Sequence, residues 1–269
     1  MRITQSTTVL PGRTVWVVET PNRFDGDCTL LISKVSEAIL PNTVGNHIGQ
    51  GASMDVFLQH QRDVRFIING GFSHYRKDFY DWAHNNFDVG DPVGVVKIRE
   101  HLFEDITDPS HYGFFTQEDK GRPWSIVPHT QLNKTHKYIL GCTPLLIRNS
   151  QACDLSTCAM EPVKEGAVNP PSYLGHGTQR HPRTAVGMRQ EHLVFVLVEG
   201  TNEGGCTLAE LQHIGVQLRL EQFLNLDGGG SSQFRYWDGD RWIGNAVDEK
   251  DQHRILGHVL VLFDSKLKP

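Results

Sequence analysis

The stretch Asn225-Leu226-Asp227-Gly228-Gly229-Gly230-Ser231-Ser232 decides how the rest of the chain is interpreted. An apolar run leads into a carboxylate, and three glycines and two hydroxyl groups follow at once. Glycine can adopt positive φ and lets another group approach the backbone closely. Successive N–H groups in such a turn can form a concave anion site. We therefore predict a loop that holds an anionic group beside the carboxyl group of Asp227.

Strand-like segments flank this loop on both sides, at 222–226 and at 233–237. Asn225 and Asp227 alternate around Leu226, so on a strand both side chains would face the same side. A plain hairpin is the simpler interpretation, because Asp-Gly is a common hairpin signal. Three glycines and two serines exceed what a tight hairpin needs, and this excess favours a functional loop.

The composition is that of an ordinary globular protein, with 38% hydrophobic and 21% charged residues in a chain of 269. A net charge of −5 without a basic face argues against a nucleic-acid partner. The longest apolar runs are strand-sized, so we predict no membrane partner. The N-terminus lacks a secretory pattern, and the five cysteines lack CxxC spacing. These features predict reduced thiols and a cytoplasmic location.

The pattern of strands and helices predicts the fold class. Strand patterns outnumber helical ones, and the strand patterns that matter most lie at 14–19, 29–35, 64–68, 93–98, 184–188, 193–199 and 255–263. One helix is predicted to begin after Thr207 through a capping box with Glu210, with Gly215 as its C-cap. We predict a single α+β domain over residues 1–269, with a strand-rich mixed sheet and a few packed helices. Long loops are expected at 73–92 and 150–182.

Polar residues collect at the predicted strand ends, which could converge on one cleft. Arg183 can grip phosphate oxygens through its planar guanidinium group, although a surface ion pair is the simpler interpretation. Glycoside cleavage usually needs two carboxyl groups, and Asp227 with Glu199 is the best pair, with Glu203 as a substitute. Cys206 lies beside a predicted helix N-terminus, which could lower its pKa, but a structural thiol is favoured.

Several common catalytic motifs are absent from the sequence. It contains no GxxxxGK[ST] for a P-loop, no GxGxxG that opens a helix, and no GxSxG nucleophile elbow. Nucleotide hydrolysis on a P-loop, dinucleotide binding and α/β-hydrolase chemistry are therefore disfavoured.

An ordered series of motifs resembles the phosphodiester glycosidase family over about residues 64 to 263. The motifs are Ile68-Asn69-Gly70-Gly71-Phe72, the segment Gly141 to Asn149, Arg183-Thr184-Ala185-Val186-Gly187, Gly205-Cys206-Thr207-Leu208-Ala209-Glu210-Leu211 and the glycine loop. The resemblance implies hydrolysis of a sugar–phosphate diester at the anomeric carbon. Three positions depart from the family pattern: Ser73 replaces a usual Phe, Glu199 a usual Asp and Thr201 a usual Arg.

These arguments give a defined set of site predictions. The predicted catalytic residues are Asp227, Glu199 and Arg183. The predicted substrate-binding residues are Asn69, Gly70, Gly71, Thr184, Asn225, Gly228, Gly229, Gly230, Ser231 and Ser232. The expected ligand is a sugar phosphate or a nucleotide-linked sugar in a bacterial or phage protein. No cofactor is expected, while a divalent metal ion and the oligomeric state are left open.

Two other functions fit the same residues. One is a binding module that captures a phosphorylated sugar or nucleotide without cleaving it. The other is a nucleotide phosphodiesterase, which would more often require a divalent metal ion.

Overall fold

The computed structural model describes residues 1–24, 28–34, 53–61, 63–73, 92, 94–105, 112–156, 177–200, 204–245, 254, 256–264 and 266. Most of the predicted loops at 73–92 and 150–182, together with Thr201 and Glu203, lie outside these residues. Ser73 and Pro92 form an antiparallel bridge. No helix in the described part of the chain is both long and apolar enough to cross a membrane.

Seventeen strands and two α-helices make up the described part of the chain. In chain order they are β1 (Arg2–Ser6), β2 (Val15–Pro21), β3 (Cys28–Lys34), α1 (Met54–His60), β4 (Val64–Asn69), β5 (Gly94–Ile98), β6 (His101–Asp105), β7 (Gly113–Gln117), β8 (Trp124–Pro128), β9 (Tyr138–Cys142), β10 (Leu145–Arg148), β11 (Gln151–Ala152), β12 (Arg183–Arg189), β13 (His192–Val198), α2 (Leu208–Gln217), β14 (Gln222–Asn225), β15 (Phe234–Trp237), β16 (Trp242–Gly244) and β17 (His258–Asp264).

The described strands form three sheets. A seven-stranded sheet has the order β1-β2-β13-β12-β14-β10-β11, and the two five-stranded sheets have the orders β16-β15-β4-β17-β3 and β6-β5-β9-β7-β8. Every pair in the described residues is antiparallel. The predicted mixed sheet is therefore wrong. Tight turns join several sequential neighbours, such as β12 to β13 through Gln190 at φ 53°, and this connection forces an antiparallel pair.

The fold is mostly β, which corrects the predicted α+β class. The two α-helices contain only 7 and 10 residues, and each covers the outer face of a sheet. The main core joins side chains from all three sheets, such as Phe195, Phe66 and Phe115. Apolar faces of different sheets are therefore buried against one another, while a single domain over residues 1–269 stays a prediction.

Helix α2 begins as predicted but continues past its expected end. The Thr207 side chain accepts from the Glu210 amide, the Glu210 side chain accepts from the Thr207 amide, and the helix runs through Gly215 to Gln217. A Cβ atom at Gly215 would lie 2.5 Å from the Phe223 ring. The glycine therefore permits close packing of α2 on β14 and does not end the helix.

Candidate functional site

The candidate site lies at the termini of three strands, at the junction of two sheets. Strand β12 starts at Arg183, β14 ends at Asn225 and β4 ends at Asn69. The Leu226 amide donates to the Thr184 carbonyl at 2.8 Å, and so extends the β12–β14 ladder. The Asp227 amide then donates to the Gly70 carbonyl of the other sheet at 3.2 Å. Residues far apart in sequence therefore meet around Asp227.

The glycine loop folds as a tight turn at Gly229–Ser231, and its amides are engaged within the protein. The N–H groups of Gly228, Gly229, Ser231 and Ser232 donate to Asp227 Oδ1, Pro182 O, Gly228 O and Gly229 O, at 2.8, 2.9, 3.2 and 3.1 Å. These four amides therefore already have acceptors within the protein, and anion binding by the loop stays a prediction.

The glycines of the loop serve backbone geometry. Gly229 has φ +60°, a conformation that residues with a Cβ atom rarely adopt. A Cβ atom at Gly228 would lie 3.0 Å from the Pro182 carbonyl oxygen. The loop thus needs glycine to turn sharply while it packs against the segment that leads into β12.

The carboxyl group of Asp227 is partly buried, and several groups act on its charge. Burial raises its pKa to about 6, against hydrogen bonds from the Ser231 hydroxyl and the Gly228 amide and the positive charges of Arg254 and Arg183. A carboxyl group with this pKa changes its charge near neutral pH, which suits a general base or nucleophile.

Arg183 is a buried cation whose positive charge acts on the carboxyl group of Asp227. Its Nε donates to the Cys206 carbonyl at 3.1 Å and its Nη2 to the Gln179 carbonyl at 3.0 Å. Burial lowers the pKa of Arg183, whereas the negative charge of Asp227 acts in the opposite direction. A guanidinium group stays protonated under such shifts, so Arg183 presents a fixed positive charge beside Asp227.

Asn69 and Thr184 connect the two sheets beneath the loop. Thr184 Oγ1 donates to Asn69 Oδ1 at 2.8 Å, and both side chains are buried. Asn225, also buried, donates from Nδ2 to the Thr143 carbonyl at 2.8 Å. All three predicted binding residues therefore lie in the site region and have partners within the protein.

Glu199 directly follows β13, and it lies on the opposite face of the seven-stranded sheet from Arg183. Arg183 pairs with Val198, so these two residues lie on the same face. Because successive residues of a strand alternate between faces, Glu199 lies on the opposite one. Trp16 Nε1 donates to Glu199 Oε1 at 2.7 Å. The geometry thus unites Asp227 with Arg183, but it places Glu199 against Trp16.

Sequence reasoning missed three residues: Cys142 and Arg254, which interact electrostatically with Asp227, and His258, which contacts Gly70 and Gly71. His258 Nε2 accepts from the Gly71 amide at 2.9 Å, and burial lowers its pKa to about 4. Burial raises the pKa of Cys142 to about 12, with a further contribution from the charge of Asp227. A lone histidine at the start of an apolar strand was the one available signal for His258, and such a residue usually belongs to the core.

Among the described cysteines, Cys142 and Cys206 are buried thiols with raised pKa values, as suits a structural role. Burial raises the pKa of Cys206 to about 12, so the lowering by the helix N-terminus that the sequence suggested is wrong. Cys153 is a free thiol. The described side chains contain no group of three His, Cys, Asp or Glu residues that could hold a metal ion.

Comparison with known proteins gives consistent results. The family model for phosphodiester glycosidases matches residues 62–263. No curated protein sequence matches the chain. Among solved structures, the catalytic domain of zebrafish N-acetylglucosamine-1-phosphodiester α-N-acetylglucosaminidase, auto-inhibited by its pro-peptide, superposes with a TM-score of 0.63 at 16% identity, over 98% of this chain and 82% of that one.

Two bacterial structures are also similar. A hypothetical protein from Synechocystis has a TM-score of 0.60 at 13% identity, over 97% of this chain and 61% of that one. A Burkholderia pseudomallei protein, provisionally described as exported, has a TM-score of 0.58 at 13% identity, over 93% and 74%. Likeness at these identities shows a shared fold. The sequence match over residues 62–263 confirms the resemblance, and the chain belongs to the phosphodiester glycosidase family.

Proposed function

We propose that this protein hydrolyses a glycosyl phosphodiester at the anomeric carbon and releases a free sugar and a phosphomonoester. Membership of the phosphodiester glycosidase family supports this reaction class. The observation that carries the proposal is the Asp227 carboxyl group, whose pKa is raised to about 6, beside the buried guanidinium group of Arg183. A reacting carboxylate and a fixed phosphate-binding cation are what the reaction requires.

The chemistry divides between these two groups. The bond between the anomeric carbon and the phosphate oxygen breaks, the oxygen of water joins the carbon, and the phosphomonoester leaves as an anion. A phosphate leaving group needs little protonation, so Arg183 can stabilise its charge in place of a general acid. Asp227 acts in its ionised form, either as the base that takes the proton of water or as the nucleophile at carbon.

Glu199 remains our candidate for a second carboxylate. Its oxygen already accepts from Trp16 Nε1 at 2.7 Å, which fixes one end of the side chain. If Glu199 takes part in the reaction, Glu199→Gln lowers kcat by about 10²–10⁴-fold. A smaller effect would leave Asp227 as the one reacting carboxylate of the proposed pair.

The direct test is hydrolysis of methyl phosphodiesters of several sugar-1-phosphates and of UDP-sugars in ¹⁸O-labelled water. We expect release of sugar that carries the label at the anomeric carbon. Asp227→Asn should lower kcat by about 10²–10⁴-fold with the fold retained. Full turnover by that variant would contradict the assignment of Asp227.

The same experiment separates the other functions. Label in the phosphate, together with loss of activity in chelator, would identify a metal-dependent nucleotide phosphodiesterase. Tight binding of the sugar phosphates without any release would identify a binding module. The proposed partner is a small sugar phosphate or nucleotide-linked sugar, with no nucleic acid or membrane involved.

The cytoplasmic location remains a proposal, and it rests on the sequence pattern alone. One structural neighbour is provisionally described as exported, which does not favour it. Fractionation of cells that produce the full-length protein, with detection in each compartment, would decide the location.

A further inference from the structure

His258 lies directly behind the loop that follows strand β4. The side chain is 1% exposed, and its Nε2 accepts from the Gly71 amide at 2.9 Å. The backbone carbonyl of the same residue accepts from the Gly70 amide at 3.2 Å. Because Nε2 accepts a hydrogen bond, the proton of the neutral ring lies on Nδ1, which faces Ser73 Oγ at 3.4 Å. His258 therefore holds two successive amides, one with its ring and one with its backbone.

Asn69 uses its whole hydrogen-bonding capacity within the protein. A side-chain amide has two N–H donors and an oxygen with two lone pairs. Nδ2 donates to the carbonyls of Gly70 at 3.2 Å and of Asp227 at 2.9 Å. Oδ1 accepts from Thr184 Oγ1 at 2.8 Å and from the Gln233 amide at 3.2 Å. The expected contact between Asn69 and substrate would therefore require one of these bonds to break.

Both polar backbone groups of Asp227 form hydrogen bonds with the segment Asn69-Gly70. Its amide donates to the Gly70 carbonyl at 3.2 Å, and its carbonyl accepts from Asn69 Nδ2 at 2.9 Å. His258 in turn anchors this segment through its hydrogen bond with the Gly71 amide. The backbone of Asp227 is thus bonded directly to the Asn69 side chain and, by way of Gly70, linked to His258.

We propose that Asn69 and His258 are positioning residues that hold the backbone of Asp227 in its reactive place. This inference rests on the proposed function, since it assigns Asp227 the reacting carboxylate. The physical reason is that catalysis by a carboxylate depends steeply on its alignment, so that a displacement of about 1 Å can cost about 10²-fold in rate. Residues that act in this way change kcat and leave substrate affinity nearly unaltered.

The test compares two substitutions at one position. His258→Gln keeps an acceptor oxygen near the place of Nε2, whereas His258→Leu removes the acceptor. We expect His258→Leu to lower kcat about 10- to 100-fold with KM changed less than about 2-fold. We expect His258→Gln to recover most of that loss. Asn69→Asp, which removes both side-chain donors, should likewise lower kcat while KM is kept.

Val261→Ala on the same strand is the matched control for lost stability. Val261 is buried on β17 in the cluster that packs on α1, away from Gly70 and Gly71. The substitution Val261→Ala should lower Tm while leaving kcat unchanged. The proposal is overturned if His258→Leu keeps full kcat, if His258→Gln is no better than His258→Leu, or if Asn69→Asp raises KM at constant kcat.

A second readout does not depend on turnover. Hydrogen exchange at the amides of Asp227 and Gly71 should accelerate in His258→Leu and remain slow in His258→Gln and Val261→Ala. Exchange that is unchanged in His258→Leu would overturn the positioning role even if the wild-type protein cleaved no phosphodiester. Conversely, absence of wild-type turnover with the expected exchange pattern would contradict the proposed function alone.

Discussion

At the scale of single residues, the ionisation of Asp227 is the property on which the proposed reaction depends most. Burial raises the pKa of this carboxyl group, and nearby donors and cations offset part of that effect, which leaves a pKa of about 6. A group with this pKa is mostly ionised at neutral pH yet keeps substantial basicity. This balance favours a base or nucleophile over a permanently charged binding residue.

We predict that kcat rises with pH through about 6, because Asp227 must lose its proton to act. Values of kcat measured from pH 4.5 to 8 with one substrate would show this rising limb of the pH–rate profile. The limb should be absent from the residual activity of Asp227→Asn. A rate that falls as pH rises through this range would instead assign Asp227 the role of general acid.

Two glycines of the site offer a matched pair of substitutions. A Cβ atom at Gly70 would lie 2.5 Å from His258 Cδ2, whereas one at Gly229 would meet nothing within 4 Å. We predict that Gly70→Ala displaces the His258 ring and lowers kcat by at least about 10-fold. Gly229→Ala should lower the free energy of unfolding by only the backbone strain at its φ of +60°, about 1–2 kcal/mol. Kinetics and denaturant unfolding of both variants check this contrast.

At the scale of elements, helix α2 links local sequence signals to the site. Its capping box is formed by Thr207 and Glu210, and the residue before the cap, Cys206, offers its carbonyl to Arg183 Nε at 3.1 Å. The start of the helix therefore also orients the cation of the site. Its inner face packs Leu211 and Ile214 into the cluster that lies against β12 and β14.

We predict that Thr207→Ala lowers the free energy of unfolding by about 1 kcal/mol, because the Glu210 amide loses its acceptor. Thr207→Ser keeps the hydroxyl group and should stay close to the wild-type value. Urea unfolding of the three proteins provides the measurement. Equal losses in both variants would show that the methyl group, and not the cap, stabilises the helix.

At the scale of the whole molecule, the partly buried Asp227 and the buried His258 make stability depend on pH in opposite directions. The folded pKa of Asp227 is about 6, above its usual 3.8, so its contribution falls as pH rises from about 4 to 6. The folded pKa of His258 is about 4, below its usual 6.5, so its contribution is lost as pH falls from 6.5 to 4. The two slopes therefore oppose each other over most of this range.

We predict that Asp227→Asn is more stable than the wild-type protein at pH 7, by about 1–2 kcal/mol after allowance for the partial exposure of the site. The difference should vanish as pH falls to about 4, where the wild-type carboxyl group is protonated as well. Denaturant unfolding of both proteins at several pH values tests this. A difference that does not change with pH would refute a raised pKa.

Local sequence signals predicted strands β2 to β5, β12 to β15 and β17, the cap of α2 and the loop at 225–232, because period, capping and turn formation act among neighbouring residues. The ordered motifs likewise identified the family. The tertiary structure alone decided that the sheets are antiparallel, that the loop amides are engaged, and that Glu199 starts on another face from Arg183. It alone also placed His258 behind Gly71, 187 residues away in sequence, and Thr184 on Asn69, 115 residues away. Such contacts depend on how distant strands pack, and no pattern of adjacent residues encodes which partners they bring together.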